Sequence, residues 1–190
     1  SWLGPDGSGQ RRQTHDGQTS VERYAPGELS WDDYSNLPTD PAKLMDVIRS
    51  GALGGGNHSS DAVCFQIIGE TLMQGYAPPE LRSALYQAAA DLPGVELTGN
   101  AADHTGRPGV EVSYTHQSLR EGLVFDPSTS QVLESNEAYV GPQPVIDSIQ
   151  GAIPGPNPGE QTVGYTVYDE WGVVDAIGER PCTHRTEADP

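Results

Sequence analysis

The sequence predicts an α+β fold: a curved antiparallel sheet, half-barrel-like, packed on about three helices. Three observations carry this. Apolar residues recur at helical spacing between about 40 and 93 and alternate at strand spacing from about 95 onward. Caps and stops punctuate the first stretch, whereas turn residues separate short runs in the second. The two patterns are segregated along the chain, which favours helices on one face of an antiparallel sheet over alternating βαβ units.

The chain opens with turn chemistry, Pro5-Asp6-Gly7-Ser8-Gly9, before a strand over about Gln10 to Thr14. It starts as if inside a hairpin, so an upstream part is expected to be missing and the opening strand truncated. Val21 to Asn36 carries Tyr24, Trp31 and Tyr34 without a clean period. In LPTDPAKLMDVIRSG, Thr39 or Asp40 can cap a helix, Pro41 suits its first turn and Gly51 its stop, with Leu44, Val47 and Ile48 on one face. After GGGN, Ser59 or Ser60 caps a second helix striped by Cys64 or Phe65, Ile68 and Leu72. A third, PPELRSALYQAAADLPG, aligns Leu81, Leu85, Ala88 and Leu92 and ends at Pro93-Gly94.

Strands are expected at about 95–99, 109–115, 120–126 and 131–137, each neighbouring pair joined by turn residues, as in a meander. Residues 141–160 form a Pro/Gly-rich loop; YTVYDEWGVVDAIG supplies two more strand-like runs. Residues 1–181 are read as one domain and 182–190 as a polar tail.

Composition excludes some functions. Net charge is −17, from 27 acidic and 10 basic residues, so nucleic acid and anionic membrane surfaces are poor partners. The acidity is spread, with no long run. Neither a membrane-length apolar stretch nor a signal peptide is evident.

The segment Asp103-His104-Thr105-Gly106-Arg107 offers an acid, a base and a cation. As chemistry it needs a group for the base to act on, and no Gly-x-Ser-x-Gly elbow is present. As structure, Asp caps a turn, Gly106 takes positive φ and Arg107-Pro108 leads into the next strand. The turn reading is preferred: an exposed hairpin tip, at which His104→Ala changes stability by under about 0.5 kcal/mol. The five histidines lack His-x-x-x-His spacing; His58 near Asp61 and His15 beside Asp16 are the residual ligand candidates, and no bound transition metal or cofactor is expected. Gly54-Gly55-Gly56 lacks the Gly-Lys-Ser/Thr ending of a phosphate loop. Cys64 lies mid-helix among apolar residues, the setting of an inert core thiol.

PDGSG, LPTDP, PPELRSALYQAAADLPGVE, DHTGRPGVEV, LVFDPSTSQVLE and GVVDAIGERP occur here in that order. Together they resemble the extracytoplasmic part of a family of uncharacterised actinobacterial membrane-tethered proteins, often encoded near extracytoplasmic-function sigma factors. The likeness runs from about Trp2 to Pro181. More distantly the chain resembles the half-barrels of lipoprotein carriers and of the sensor partners of anti-sigma factors, in which a curved sheet wraps helices and leaves an apolar groove. The family's cytoplasmic part, membrane helix and opening strand are absent here, and Ser130 stands where a turn glycine is common. The resemblance implies an extracytoplasmic place and a fold, and carries no catalytic residue. In that compartment a Cys64–Cys182 disulfide is the second reading for the two cysteines.

The functional expectation is a non-enzymatic extracytoplasmic domain that binds or senses a peptide, lipid or partner protein in a groove between sheet and helices. Tyr114, Tyr165 and Trp171 are the candidate groove-lining aromatics. One rival is a structural protein that self-associates through an open sheet edge, left by the truncated hairpin. The other is a hydrolase using a His-Asp pair, which needs a second polar partner beside His104.

Overall fold

The computed structural model describes residues 2–3, 8–15, 18–24, 31–53, 58–75, 77–140, 153–154 and 160–169. The chain divides into two compact units: Ser1–Asn36 with Asp169–Pro190, and Leu37–Tyr168. In the first, β1 (Trp2–Leu3), β2 (Gly9–His15) and β3 (Gln18–Tyr24) form a three-stranded antiparallel sheet, and α1 (Trp31–Ser35) is a short helix. β2 contains the strand expected at Gln10 to Thr14. This sheet is separate from the main one, so the N-terminal hairpin is not the edge of the main sheet as expected.

The second unit holds α2 (Pro41–Ser50), α3 (Asp61–Met73) and α4 (Pro79–Ala90), then β4 (Val95–Ala102), β5 (Pro108–His116), β6 (Leu119–Phe125), β7 (Val132–Tyr139), β8 (Ile153–Pro154) and β9 (Gln161–Val167). The strands form an open antiparallel sheet in the order β4-β5-β6-β7-β9-β8. This is the α+β architecture and the meander that the patterns predict. No helix among the described residues is long and apolar enough to cross a membrane.

Local chemistry sets the helix ends. Asp40 is the cap of α2 and accepts from the Lys43 amide at 3.0 Å; Pro41 follows it and Gly51 closes the helix at φ 82°. Ser60 caps α3 without a side-chain bond; Arg49 from the end of α2 instead pairs with Asp61 at 2.6 Å. α4 ends before Gly94, at φ 88°. The core lies between these helices and one sheet face. Phe65 stacks on Tyr114 (5.7 Å between centroids), Tyr86 on Phe125 (4.0 Å), and Gly69 lets α3 approach Leu123. Leu44, Ile48, Ile68, Leu72, Leu81 and Leu85 fill the interior.

The sheet bends where its register slips: between Thr98 and Ala101, between Val124 and Phe125, and at β9 opposite Glu137 and Ala138. An extra residue on one strand increases local twist and curls the sheet. Ser130, in the turn before β7, has φ 55°, the backbone for which glycine is the usual choice, and its hydroxyl accepts from Arg82 of α4 at 3.2 Å.

Cys64 is fully buried with a free thiol, 3.8 Å from the His58 carbonyl; the second reading, a bridge to Cys182, is not formed. Burial pushes the Cys64 thiol pKa up, against the pull of Arg49. A packed helix position explains this state: the thiol is part of the core, as in the leading reading. Cys182 lies outside the described residues.

Candidate functional site

The Asp103–Arg107 segment is a turn, as its residues predict. Asp103 Oδ1 accepts from the Thr105 amide (2.9 Å), the Thr105 hydroxyl (2.7 Å) and the Arg107 amide (2.9 Å), and Gly106 takes φ 88°. Asp103 Oδ2 accepts from Arg107 Nε at 2.5 Å. Burial alone pushes the Asp103 carboxyl upward; the hydrogen bonds from Thr105 and Arg107 outweigh it and bring the pKa down to about 2.

The tip is exposed at His104, Thr105 and Gly106, as expected, but His104 is held by partners outside the turn that the expectation did not include. Glu134 of β7 is 1% exposed, and its Oε2 accepts both the His104 amide (2.7 Å) and His104 Nδ1 (2.8 Å). With Glu134 ionised, Nδ1 is the donor. The imidazole stacks flat on Tyr165 of β9, 3.8 Å between centroids and 1° between planes. Arg107 donates to the carbonyls of Leu133 (3.1 Å) and Tyr168 (3.0 Å). The β4–β5 hairpin thus reaches across the curved sheet and fastens to β7 and β9. A flat sheet would hold those strands too far apart for this.

Glu134 also opens a buried polar chain on the sheet face opposite the helices. Asn136 Nδ2 lies between Glu134 Oε1 (3.2 Å) and Glu111 Oε1 (3.3 Å), and Arg120 donates to Glu111 Oε2 at 2.6 Å. Glu160 stands 3.7 Å from Arg120 Nε. Gly122 makes room: a Cβ there would meet Glu111 Oε1 at 2.5 Å and Asn136 Oδ1 at 2.6 Å. Arg120 and Glu111 are 4% and 6% exposed, so the pair is desolvated.

This constellation holds structure more readily than it performs chemistry. His104 has the carboxylate partner that a hydrolase needs, but it is Glu134, while Asp103 is committed to Arg107. Among the described residues no hydroxyl or thiol is hydrogen-bonded to the imidazole as a nucleophile. Of the residual ligand candidates, Asp61 is engaged by Arg49 and His15 sits in β2, while Asp16 lies outside the described residues. The described residues contain no cluster of three or more His, Cys, Asp or Glu able to hold a metal.

A groove lies on the opposite face. α3 and α4 pack over β4 and β5. Beyond them a cleft of about 380 Å³ opens between α3 and strands β6, β7 and β9. Phe65, Gly69 and Met73 form one wall; Leu123, Ser135 and Thr166 lie across from it. Three carboxylates line it as well: Glu70 from α3, Glu121 from β6 and Glu137 from β7. Glu121 and Glu137 are direct cross-strand partners. Burial raises the Glu121 pKa, and the charges of Glu137 and Glu70 push the same way, with His116 pulling back. A wider hollow of about 460 Å³ beside α4, rimmed by Thr39, Glu80, Ser83 and Gln87, opens broadly to solvent.

The aromatics expected to line the groove do so only in part. Tyr114, half-buried, stacks on Phe65. Tyr165 contributes backbone to the groove, while its ring lies on the other face against His104, since it pairs with Asn136 across β7 and β9. Trp171 lies outside the described residues. The convergence of Glu70, Glu121 and Glu137 is absent from the sequence reading, which treats the acidity as spread. One signal was available: Glu121 shares strand parity with Leu123 and Phe125, which places a charge on an apolar face.

Comparison of the chain with protein families, curated proteins and solved structures finds no match.

Proposed function

We propose that this chain is a non-enzymatic binding domain acting outside the cytoplasm, which holds a short segment of a partner polypeptide in the groove between α3 and the β6–β7–β9 part of the sheet. The supporting observation is the groove itself: about 380 Å³, with an apolar wall of Phe65, Met73 and Leu123 and polar groups at defined places. That combination is the usual form of a ligand site. The polypeptide is preferred to a lipid because, among the described residues, the charges lining the cleft are carboxylates, which disfavour anionic headgroups. The extracytoplasmic place rests on the ordered motifs and their resemblance to membrane-tethered ectodomains. The test is NMR of the Met73 and Leu123 methyls during titration with an uncharged octapeptide alternating Gln and Leu. Saturable shifts that Ser135→Phe abolishes in a folded protein support the reading. No shift there, or ester or amide turnover that His104→Ala removes, overturns it.

A second reading has its own observation. β4 is an edge strand with an exposed face, and Leu97 on it is 65% exposed. Such an edge can add a strand from a neighbour. Concentration-dependent size that Leu97→Lys eliminates supports assembly through β4.

A further inference from the structure

We propose that the occupant of the groove is a basic segment, with Lys or Arg side chains set against Glu70, Glu121 and Glu137 and an apolar side chain against Phe65 and Met73. This rests on the reading of the groove as a polypeptide site.

Glu121 and Glu137 face each other directly across β6 and β7, and Glu70 comes down from α3 into the same cleft. Like charges in directly opposed strand positions are destabilising. No Lys or Arg lies among the described residues that line the cleft. Gln66 donates to Glu70 at 3.0 Å, which orients that carboxylate and leaves the three negative charges in place. α3 borders the cleft on one side, and Leu123, Ser135 and Thr166 of the sheet lie across from it. A segment carrying cations and one apolar anchor complements both features of this surface: the carboxylates by charge and the Phe65–Met73 wall by burial of apolar area. A second copy of the chain is a poor occupant at net charge −17. A free polyamine complements the acids and leaves the apolar wall bare.

A regulatory consequence follows. Beside Glu137, Glu70 and His116, a cation at Glu121 favours its ionised form, so binding to the protonated form releases a proton and affinity rises as pH rises through the titration of this group.

The test uses the full chain and three synthetic octapeptides, alternating Leu with Lys, with Gln or with Glu, followed by the Met73 methyl at physiological salt. The Lys peptide is expected to bind at least about tenfold tighter than the Gln peptide, with the Glu peptide weakest. Glu137→Gln and Glu70→Gln are each expected to weaken the Lys peptide about three- to fivefold, and Glu96→Gln, which removes the same charge from exposed β4, less than about twofold. A Gln peptide that shifts Met73 with the affinity of the Lys peptide leaves the groove reading standing and overturns the basic occupant. Equal effects of Glu96→Gln and Glu137→Gln reveal non-specific attraction and overturn it too. Spermine binding as tightly as the Lys peptide overturns the segment in favour of a polyamine. Absence of any shift at Met73 overturns both readings together.

Discussion

The two faces of the main sheet are buried by opposite means. One packs Val112, Leu123, Phe125 and Val132 against α3 and α4. The other buries Glu111, Ser113, Arg120, Glu134 and Asn136 beside Val124 and Ala138. Apolar burial is non-directional, and a volume-conserving swap is usually tolerated. Buried charge is conditional: each group is stable only while its partner stands in place. The first face therefore resists single changes by redundancy, whereas the second concentrates its stability in a few bonds.

The largest expected contrast is at Arg120. Arg120→Met leaves Glu111 buried without its cation and should destabilise the unit by about 3–5 kcal/mol in urea unfolding. The double variant Arg120→Met, Glu111→Met should recover most of that loss. A double variant no better than the single would show that the pair is not the unit that matters.

Acid tests the same face at its other end. The Asp103 pKa falls from the ordinary carboxylate value to about 2 on folding, so the unfolded chain binds the proton more tightly. Its contribution, about 2–3 kcal/mol, is complete above about pH 4 and is lost as pH falls toward 2. Asp103→Asn should remove that part of the acid sensitivity in a pH series of unfolding midpoints.

His104→Ala should cost about 1–2 kcal/mol, because Glu134 keeps the backbone amide but loses the imidazole. An unchanged unfolding midpoint would show that the Glu134 bond and the Tyr165 stack add nothing to stability.

The smallest expected effect has the opposite sign and lies on the apolar face. The Tyr86 hydroxyl is buried without a partner, and burial pushes its pKa upward. Tyr86→Phe should stabilise by about 1 kcal/mol, since it removes a desolvated polar group and keeps the stack on Phe125. A loss of stability on that change would mean the hydroxyl has a bond that only the folded protein in solution makes.

The same contrast explains what could be read in advance. Asp40, Pro41 and Gly51 announced α2 because a cap acts within a few residues. The meander followed from alternation and from short connections. The role of Asp103 was local in the same sense, since all its partners lie within four residues. Glu134 lies thirty residues from His104, and no period or spacing connects them. The bulges that bring them together are a property of paired strands, invisible in either strand alone. A trace does survive in the sequence. β5 buries three consecutive residues, Glu111, Val112 and Ser113, as a strand covered on both faces must, so alternation there marked two interiors and not an inside and an outside.

The fastening of the β4–β5 tip also gives the chain a timetable. Arg107 holds the carbonyl of Tyr168, sixty-one residues downstream. At about 5–20 residues per second of synthesis, that partner leaves the ribosome roughly 3–12 s after the tip does. Over that interval the Asp103 turn can form from its own neighbours, while His104 waits for β7 and then for the ring of Tyr165. A nascent chain halted before β9 would present helices, a meander and a tip held by Glu134 and the Leu133 carbonyl, with the Tyr165 stack and the Tyr168 carbonyl still to come.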